Sequence, residues 1–485
     1  VIIGLGIFLA AWNKYLSIGL FLSRSDILKK NVTLAVCVLS AQGHFEQRKS
    51  IRHSWMSDID QIRKIGKEVT VKFVVGQKSC PIHPDNRIDP FGCNRWEPSV
   101  PENPHEVIAF NVAPQAQGTN ENSFVIQLYL YVKVMSDIVL KRLGLLNQLI
   151  NVGFQQNSTL QIILYDAVTD DEIAQAAFPD HRSIVDINGY GYRPVKELFL
   201  PKGFEFIVVA QGPDSLEWPS DIALEGSSVQ SSHNNIIFTQ IVDSAGRVLP
   251  RHRHKSYVPA ASIIFSLSDV NSLQLHINRI PQVEASWERT MASTSISLNE
   301  EIQRHDDVML LDIQDVYRNL PLKVAQCHEW FNRHTVPEYV MKTDDDCFIN
   351  LPEIVRLLQE LPNDVPTWWG SFRQYWTVER HGKWKEDLYS SSVYPDFACG
   401  SGSVLSSSLS SWLSSNAHML QPFQGEDVSV GVWLAGLRLR QVHDERWRCD
   451  LSCRDGLLSL PELTPDQVVW HWNNSRFCSG PCNSC

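Results

Sequence analysis

Lys342-Thr343-Asp344-Asp345-Asp346-Cys347-Phe348-Ile349-Asn350 is the stretch on which the reading of this chain turns. The residues that lead into it, Tyr339-Val340-Met341-Lys342, are mostly apolar and suited to a short strand. Three carboxylates follow, and the chain returns at once to apolar residues. On an extended segment adjacent side chains point to opposite faces. Asp344 and Asp346 are therefore expected to share one face, with Asp345 on the other. Two hard oxygen donors at a strand end suit Mg²⁺ or Mn²⁺ held between carboxylates and the phosphates of a substrate. The plain alternative is an acidic turn before a helix that starts at Asn350-Leu351-Pro352-Glu353. Two arguments count against it. Unpaired carboxylates wedged between apolar runs are costly, and the C-terminal end of a strand is where open α/β sheets bind ligands.

Working outward, strands and helices alternate on both sides of this stretch. Before it come a helix over Ile296 to His305, a strand over Asp307 to Asp312 and a helix over Leu322 to Asn332. After it come a helix over 352–361, a strand over Trp368 to Phe372 and a glycine-bent loop entering a strand over Pro395 to Leu405. A short helix over Ser408 to Ser415 and another from Gln424 to about Gly436 follow. Near the start, Thr33 to Ser40 and Val69 to Gly76 are continuous apolar runs flanking a helical Phe45 to Met56. That is a βαβ unit, expected to be parallel and right-handed. Between residues 94 and 292 the alternation stops. Ser123 to Leu143 fits strand or helix, and short strands separated by Gly, Pro, Asp and Ser follow, as in a β-sandwich. The expectation is one α/β domain, residues 31–93 and 293–485, split by a β-rich insert over 94–292 that acts as a spacer or as an acceptor-docking module.

The 485 residues suffice for two or three domains. No basic stripe with interleaved aromatics is present, and the net charge is −11, which argues against a nucleic-acid partner. The chain starts at Val1, not Met, so residues ahead of it are expected. Val1 to Leu22 is apolar apart from Asn13-Lys14 and about long enough for one membrane span. It reads as an uncleaved signal anchor, with an amphipathic helix as the alternative. Among the 11 cysteines, Cys37, Cys327 and Cys347 sit in apolar surroundings and read as buried free thiols. Cys80 and Cys93 flank a Pro-containing loop and are expected to pair. Cys449, Cys453, Cys478, Cys482 and Cys485 crowd the C-terminus and suit disulfides in an oxidising compartment better than zinc. Asn31, Asn157 and Asn473 head glycosylation tripeptides.

A second acidic pair, Glu426-Asp427, opens a helix, where the backbone dipole favours acids and would keep Asp427 ionised. A carboxylate there can also serve as a general base toward a sugar hydroxyl. Gly400 and Gly402 permit close backbone approach to a ligand. Arg48 and Arg52 stand one helical turn apart, as an exposed or salt-bridged pair would.

Taken in order, Arg48-Lys-Ser-Ile-Arg52-His-Ser-Trp55, Lys342-Thr-Asp-Asp-Asp-Cys-Phe-Ile349, Tyr394-Pro-Asp-Phe-Ala-Cys-Gly400-Ser-Gly402 and Glu426-Asp427-Val428 resemble the motifs of the β-1,3-glycosyltransferases that use UDP-sugars. The resemblance covers nearly all of the chain beyond residue 31. It implies a GT-A (Rossmann-like) fold and inverting transfer of GalNAc from UDP-GalNAc, with Mn²⁺ or another divalent ion. The acceptor implied is the 3-hydroxyl of a terminal GlcNAc on an O-mannosyl glycoprotein such as α-dystroglycan. It also implies a single-pass type II protein of the endoplasmic reticulum and Golgi membrane with its catalytic part lumenal. By the same resemblance Asp346 is the direct metal ligand with Asp344, and Asp427 the catalytic base. Asp344, Asp345, Arg48, Arg52, Trp369, Gly400, Gly402 and Glu426 are the donor-binding candidates, and Trp368 joins Trp369 at the sugar sites. The chain departs from the family in two places. Leu460-Pro-Glu-Leu-Thr-Pro465 carries no His in register where many members have one near the metal, and Ser403 stands where Tyr is usual. The rival readings are the same fold with UDP-galactose or UDP-GlcNAc, a non-catalytic lumenal glycan-binding protein, and a two-metal phosphodiesterase.

Overall fold

The computed structural model of the protein describes residues 29–114, 123–179, 184–219, 221–223, 227–231, 234–242, 256–362 and 364–483. The molecule is mixed α/β. One seven-stranded sheet is built from β1 (Lys30–Leu39), β2 (Val69–Lys78), β3 (Val308–Gln314), β4 (Thr335–Asp344), β5 (Thr367–Arg373), β6 (Phe397–Ser406) and β7 (Arg440–His443). The strands lie in the order β3-β2-β1-β4-β6-β5-β7. The first four are parallel to their neighbours, and β6 runs antiparallel to β4 and β5. β1 shows why its sequence is apolar without alternation: Leu34, Val36 and Val38 enter the core on one face of the sheet, and Val32, Ala35, Cys37 and Leu39 the core on the other. β1 and β4 are far apart in sequence yet pair in register, with Leu34 opposite Tyr339 and Leu39 opposite Asp344. Both strands therefore end at the same edge.

Helices cover the sheet: α1 (Phe45–Arg52), α2 (Val270–Arg304), α3 (Leu320–His334), α4 (Ser407–Asn416) and α5 (Glu426–Leu434). The helix expected over Ile296 to His305 is only the end of α2, which runs unbroken for 35 residues through Pro281. A proline inside a helix normally signals a break, which is why the sequence conceals the first part of α2. Leu273 of α2 joins the core of the insert, and Leu298 and Glu301 are buried further along. Trp287, between them, donates from Nε1 to the Cys80 carbonyl at 2.9 Å.

Between β2 and β3 lie two five-stranded sheets whose strand pairs are all antiparallel. Leu140, Tyr190 and Ile264 from one sheet share a single core with Val132, Ile162 and Phe206 from the other. The ambiguous Ser123 to Leu143 stretch is strand, as Ser123–Gln127, Tyr129–Val134 and the start of Ile138–Leu146.

Two cysteine expectations need correction. Cys37 of β1 and Cys327 of α3 are not free thiols. They form a disulfide across 290 residues of sequence, because α3 packs on the face of β1 that carries Cys37. An apolar neighbourhood signals burial, and burial alone does not separate a thiol from a bridge. Cys80–Cys93 is bonded as expected, and Cys347 is buried and free. The C-terminal cysteines Cys449, Cys453 and Cys482 are held in Cys399–Cys449 and Cys453–Cys482, and Cys478 is also disulfide-bonded. Asn31, Asn157 and Asn473 are all exposed. The apolar Val1 to Leu22 lies outside the described residues. Among those described, no helix is long and apolar enough to cross a membrane.

Candidate active site

A cleft of about 630 Å³ opens where β1 and β4 end, a volume in the range of small-molecule sites. Ser40, Ala41 and His44 contribute from beyond β1, Asp344 to Asp346 from β4 and the turn after it, Gly400 and Ser401 from β6, and Glu426 and Asp427 from the start of α5. The loop 374–394 adds Trp376, Lys383, Trp384 and Tyr394. The structure thus brings together five of the predicted residues that act through their side chains: Asp344, Asp345, Asp346, Glu426 and Asp427.

The expected alternation of the three aspartates is corrected by the backbone. β4 stops at Asp344, and Asp345-Asp346 form a turn, so all three line the cleft. Asp345 N–H donates to the Leu39 carbonyl at 3.1 Å, which ties the turn to the end of β1. Its Oδ2 meets His44 Nδ1 at 2.9 Å, and that hydrogen bond raises the His44 pKa.

Lys342 organises the other acids. Its buried Nζ donates to the Gly400 carbonyl at 2.5 Å and to Glu426 Oε1 at 2.6 Å, and lies 2.9 Å from Asp344 Oδ1. Gly400 makes this convergence possible. A Cβ there would stand 3.2 Å from Glu426 Oε1 and 3.5 Å from Lys342 Nζ. One ammonium does not offset so many carboxylates. Burial pushes Asp344 up to about 8 even with Lys342 beside it, and burial with repulsion from Glu426 pushes Asp427 up to about 7. Desolvation thus opposes the helix dipole that is expected to keep Asp427 ionised. Asp427 Oδ1 accepts from Val428 N–H at 2.7 Å, and it folds back over Gly425, where a Cβ would come within 2.9 Å of it. A carboxylate that titrates near neutrality is well matched to general-base work.

Five predicted residues do not line this cleft. Arg48 is fully buried behind the cleft wall. It donates to Ser40 Oγ at 2.9 Å and to the Ala41 carbonyl at 2.5 Å, and pairs with Glu301 Oε2 at 2.6 Å. Arg52 pairs with Glu301 at 2.6 Å and with Asp307 at 2.7 Å. Both arginines shape the wall from behind and neither lines the cleft. Trp369 is core: its Nε1–H donates to Asp444 at 3.0 Å and its ring meets Trp447 edge-on. Trp368 and Ser403 border a small second cavity of about 20 Å³ that is lined also by Gly400, Glu426 and Asp427. Gly402 is required for packing, because a Cβ there would stand 2.6 Å from the Trp447 ring. Gly400 and Gly402 lie inside strand β6 and not in a loop.

The sequence reading passed over Tyr394 and Gln424. Among the described residues, Tyr394 Oη and Gln424 Oε1 are buried without a hydrogen-bond partner, and both residues line the cleft. Their place within quoted motifs is the only signal in the sequence. Lys342 was taken as part of a strand. Its position two residues before Asp344 on one strand face was the available clue.

The donor set suits a hard divalent cation. Asp344, Asp346 and Cys347 bring ligand atoms within 4.8 Å of one another. Cys347 is fully buried, and burial holds its thiol well above the ordinary range, so it is a poor thiolate ligand. The two carboxylates remain, which is the oxygen chemistry Mn²⁺ and Mg²⁺ prefer. Among the described residues, no histidine of the C-terminal part joins this group. His443 Nδ1 accepts from Phe372 N–H and His471 is hydrogen-bonded to the Pro481 carbonyl. From that part Cys449, Pro461 and Glu462 line the cleft, and the backbone φ of Glu462 is +59°.

Comparison with known proteins agrees with this geometry. The family described as Galactosyltransferase matches residues 288–445. The chain is 31% identical to the UDP-GalNAc:beta-1,3-N-acetylgalactosaminyltransferase 2 of Xenopus laevis over 93% of its own length and 91% of the relative's. It is 31% identical to the Homo sapiens protein of the same name over 93% and 89%. The beta-1,3-galactosyltransferase 6 of Mus musculus matches at 33% identity over 36% of this chain and 55% of that one. The long matches run through the insert as well as through the sheet that carries the cleft, and on them the chain belongs to the β-1,3-N-acetylgalactosaminyltransferase 2 family of glycosyltransferases.

Proposed function

We propose that this chain moves GalNAc from UDP-GalNAc, with inversion, onto the 3-hydroxyl of a terminal β-linked GlcNAc carried by an O-mannosyl glycoprotein such as α-dystroglycan. The observation that carries the reading is Asp427, a carboxylate at the start of α5 that lines the same cleft as the Asp344–Asp346 turn. Asp427 takes the proton of the acceptor hydroxyl as that oxygen attacks C1 of the sugar and the bond from C1 to the diphosphate breaks. Asp344 and Asp346 would hold Mn²⁺ against the diphosphate, where the ion offsets the charge of the leaving group. Lys342 keeps Asp344 and Glu426 in place from below the cleft surface.

In this reading residues 31–93 and 293–485 form a GT-A domain split by the insert over 94–292, and an N-terminal anchor places it in the lumen of the endoplasmic reticulum and Golgi. The disulfides support an oxidising compartment. A panel of radiolabelled UDP-sugars on a GlcNAc-β-aryl acceptor tests the donor, with UDP-GalNAc expected to lead. A preference for UDP-galactose or UDP-GlcNAc would move the chain to the sister activity. Release of UMP in place of UDP would make it a phosphodiesterase, and release of UDP without transfer to any acceptor would favour a glycan-binding role.

A further inference from the structure

The loop 374–394 ties together two parts of the molecule that share no strand. Midway along it, Gly382 N–H donates to Glu205 Oε2 of the insert at 3.0 Å. Glu205 opens the insert strand Glu205–Gln211, and its other oxygen lies 3.6 Å from Lys133 on the neighbouring strand. Lys385 of the loop also feels the Glu205 charge. Further on, Glu386 is 2% exposed and accepts from the Leu388 and Tyr389 N–H groups, and its second oxygen accepts from Gln424 N–H at 2.7 Å. Gln424 lies just before Glu426-Asp427. Two carboxylates therefore fasten the loop, Glu205 to the insert and Glu386 to the segment that presents Asp427. Charge-assisted bonds to backbone N–H groups are among the strong hydrogen bonds that fix loop shape.

The side of this loop that faces the cleft has the chemistry of a sugar site. Trp384 is half exposed and lines the cleft, with its side chain hydrogen-bonded to the Tyr317 hydroxyl. Tyr394 Oη, a donor, and Gln424 Oε1, an acceptor, are buried in the same wall and have no hydrogen-bond partner among the described residues. Leaving a buried polar group unpaired is costly, so this pair is matched to hydroxyl or amide groups brought by a ligand. An indole with one donor and one acceptor fits a pyranose ring that has an apolar face and polar edges.

We propose that the loop 374–394 is the acceptor wall of the cleft, with Trp384 as the surface on which the acceptor sugar lies, and that the β-rich insert is a positioning element for that wall acting through Glu205. The proposal rests on the glycosyltransferase reading above and gives the insert a part in it. The test uses the full chain with Mn²⁺, UDP-GalNAc and a GlcNAc-β-aryl acceptor, with each substrate varied in turn. Trp384→Ala raises the acceptor KM about tenfold, the loss of one aromatic contact, while UDP affinity by calorimetry is unchanged. Glu205→Ala raises the acceptor KM about threefold, one charge-assisted bond spread over a loop, and speeds hydrogen exchange in 376–392. Glu205→Gln, which keeps an oxygen for the Gly382 N–H, restores most of the loss. An unchanged acceptor KM in Trp384→Ala and Glu205→Ala, or a rise in the donor KM instead, overturns the proposal. If the wild-type chain transfers no sugar from any UDP-sugar, the functional reading fails on its own. Direct binding of the acceptor to wild type and Trp384→Ala then decides this one, and equal affinity overturns it.

Discussion

Behind the cleft wall, Arg48 and Arg52 meet Glu301 and Asp307; below the cleft surface, Lys342 faces Asp344 and Glu426, with Asp346 and Asp427 lining the cleft above. The first cluster is balanced, two cations against two anions, with Arg52 bonded to both oxygens of Asp307 at 2.7 and 2.8 Å. Burial pushes Glu301 upward, yet the two guanidiniums outweigh it and hold its carboxyl below the ordinary range. In the second cluster burial prevails, and Asp344 and Asp427 rise to about 8 and about 7. The two clusters differ in charge count. A balanced buried cluster is complete within the protein and serves shape. An acidic excess is relieved by a cation or a proton from outside, which is what a site for metal-assisted transfer requires.

The comparison can be broken at either end. The largest effect is expected from Asp346→Ala, which removes a hard donor from the unbalanced cluster and abolishes Mn²⁺-dependent transfer. Titrating activity against Mn²⁺ checks it, and undiminished transfer in excess EDTA would defeat the cation argument. Next is Arg48→Ala, which leaves Glu301 short of one partner inside the wall. Breaking a buried pair from one side costs about 3–5 kcal/mol, read as a fall in urea midpoint. Arg48→Met with Glu301→Leu, which leaves Arg52 its bonds to Asp307, is expected to recover most of that.

Asp427→Asn comes third. Transfer falls by about 10²-fold, the scale of a general base, with UDP affinity and melting temperature near wild type. In the wild type the pH profile of kcat/KM reads the same group. Efficiency climbs about tenfold per pH unit below the Asp427 pKa and levels off above about 7. The smallest effect is on stability. A carboxyl raised above its unfolded value of about 4 stabilises the fold fully below that pH, and the contribution is lost as pH rises through the folded pKa. The metal-free protein is therefore expected to lose melting temperature between pH 4 and 8, and added Mn²⁺ to reduce the loss. A flat profile would mean that the excess of acid is matched by a group not identified above.

The cleft acids were legible because residue type alone carries their chemistry. Three carboxylates between apolar runs are conspicuous in a line of text, and so is Glu426-Asp427 at a helix start. Their partners were not legible. Arg48 reads as half of a pair with Arg52, but Glu301, which both arginines share, arrives on the far end of a helix disguised by Pro281. Trp369 and Gly402 look like ligand-contacting types, and only the packing of Trp447 between β5 and β6 shows that they serve each other. The parallel strands were readable from their unbroken apolar runs. The register that sets Leu39 beside Asp344 was not, because pairing across so much intervening chain leaves no periodic trace.

Cys37 is also the residue that waits. It leaves the ribosome 290 residues ahead of Cys327, and at about 5–20 residues per second that is an interval of about 15–60 s. For that time β1 has no β4 to pair with, and the only cysteines made in the interval are Cys80 and Cys93. These two are 13 residues apart and can close on each other long before Cys327 appears. The short loop therefore does more than staple an edge: by consuming the two nearest competitors, it leaves Cys37 unmatched until the insert has folded and α3 arrives, so that the order of synthesis and the order of oxidation select the same product.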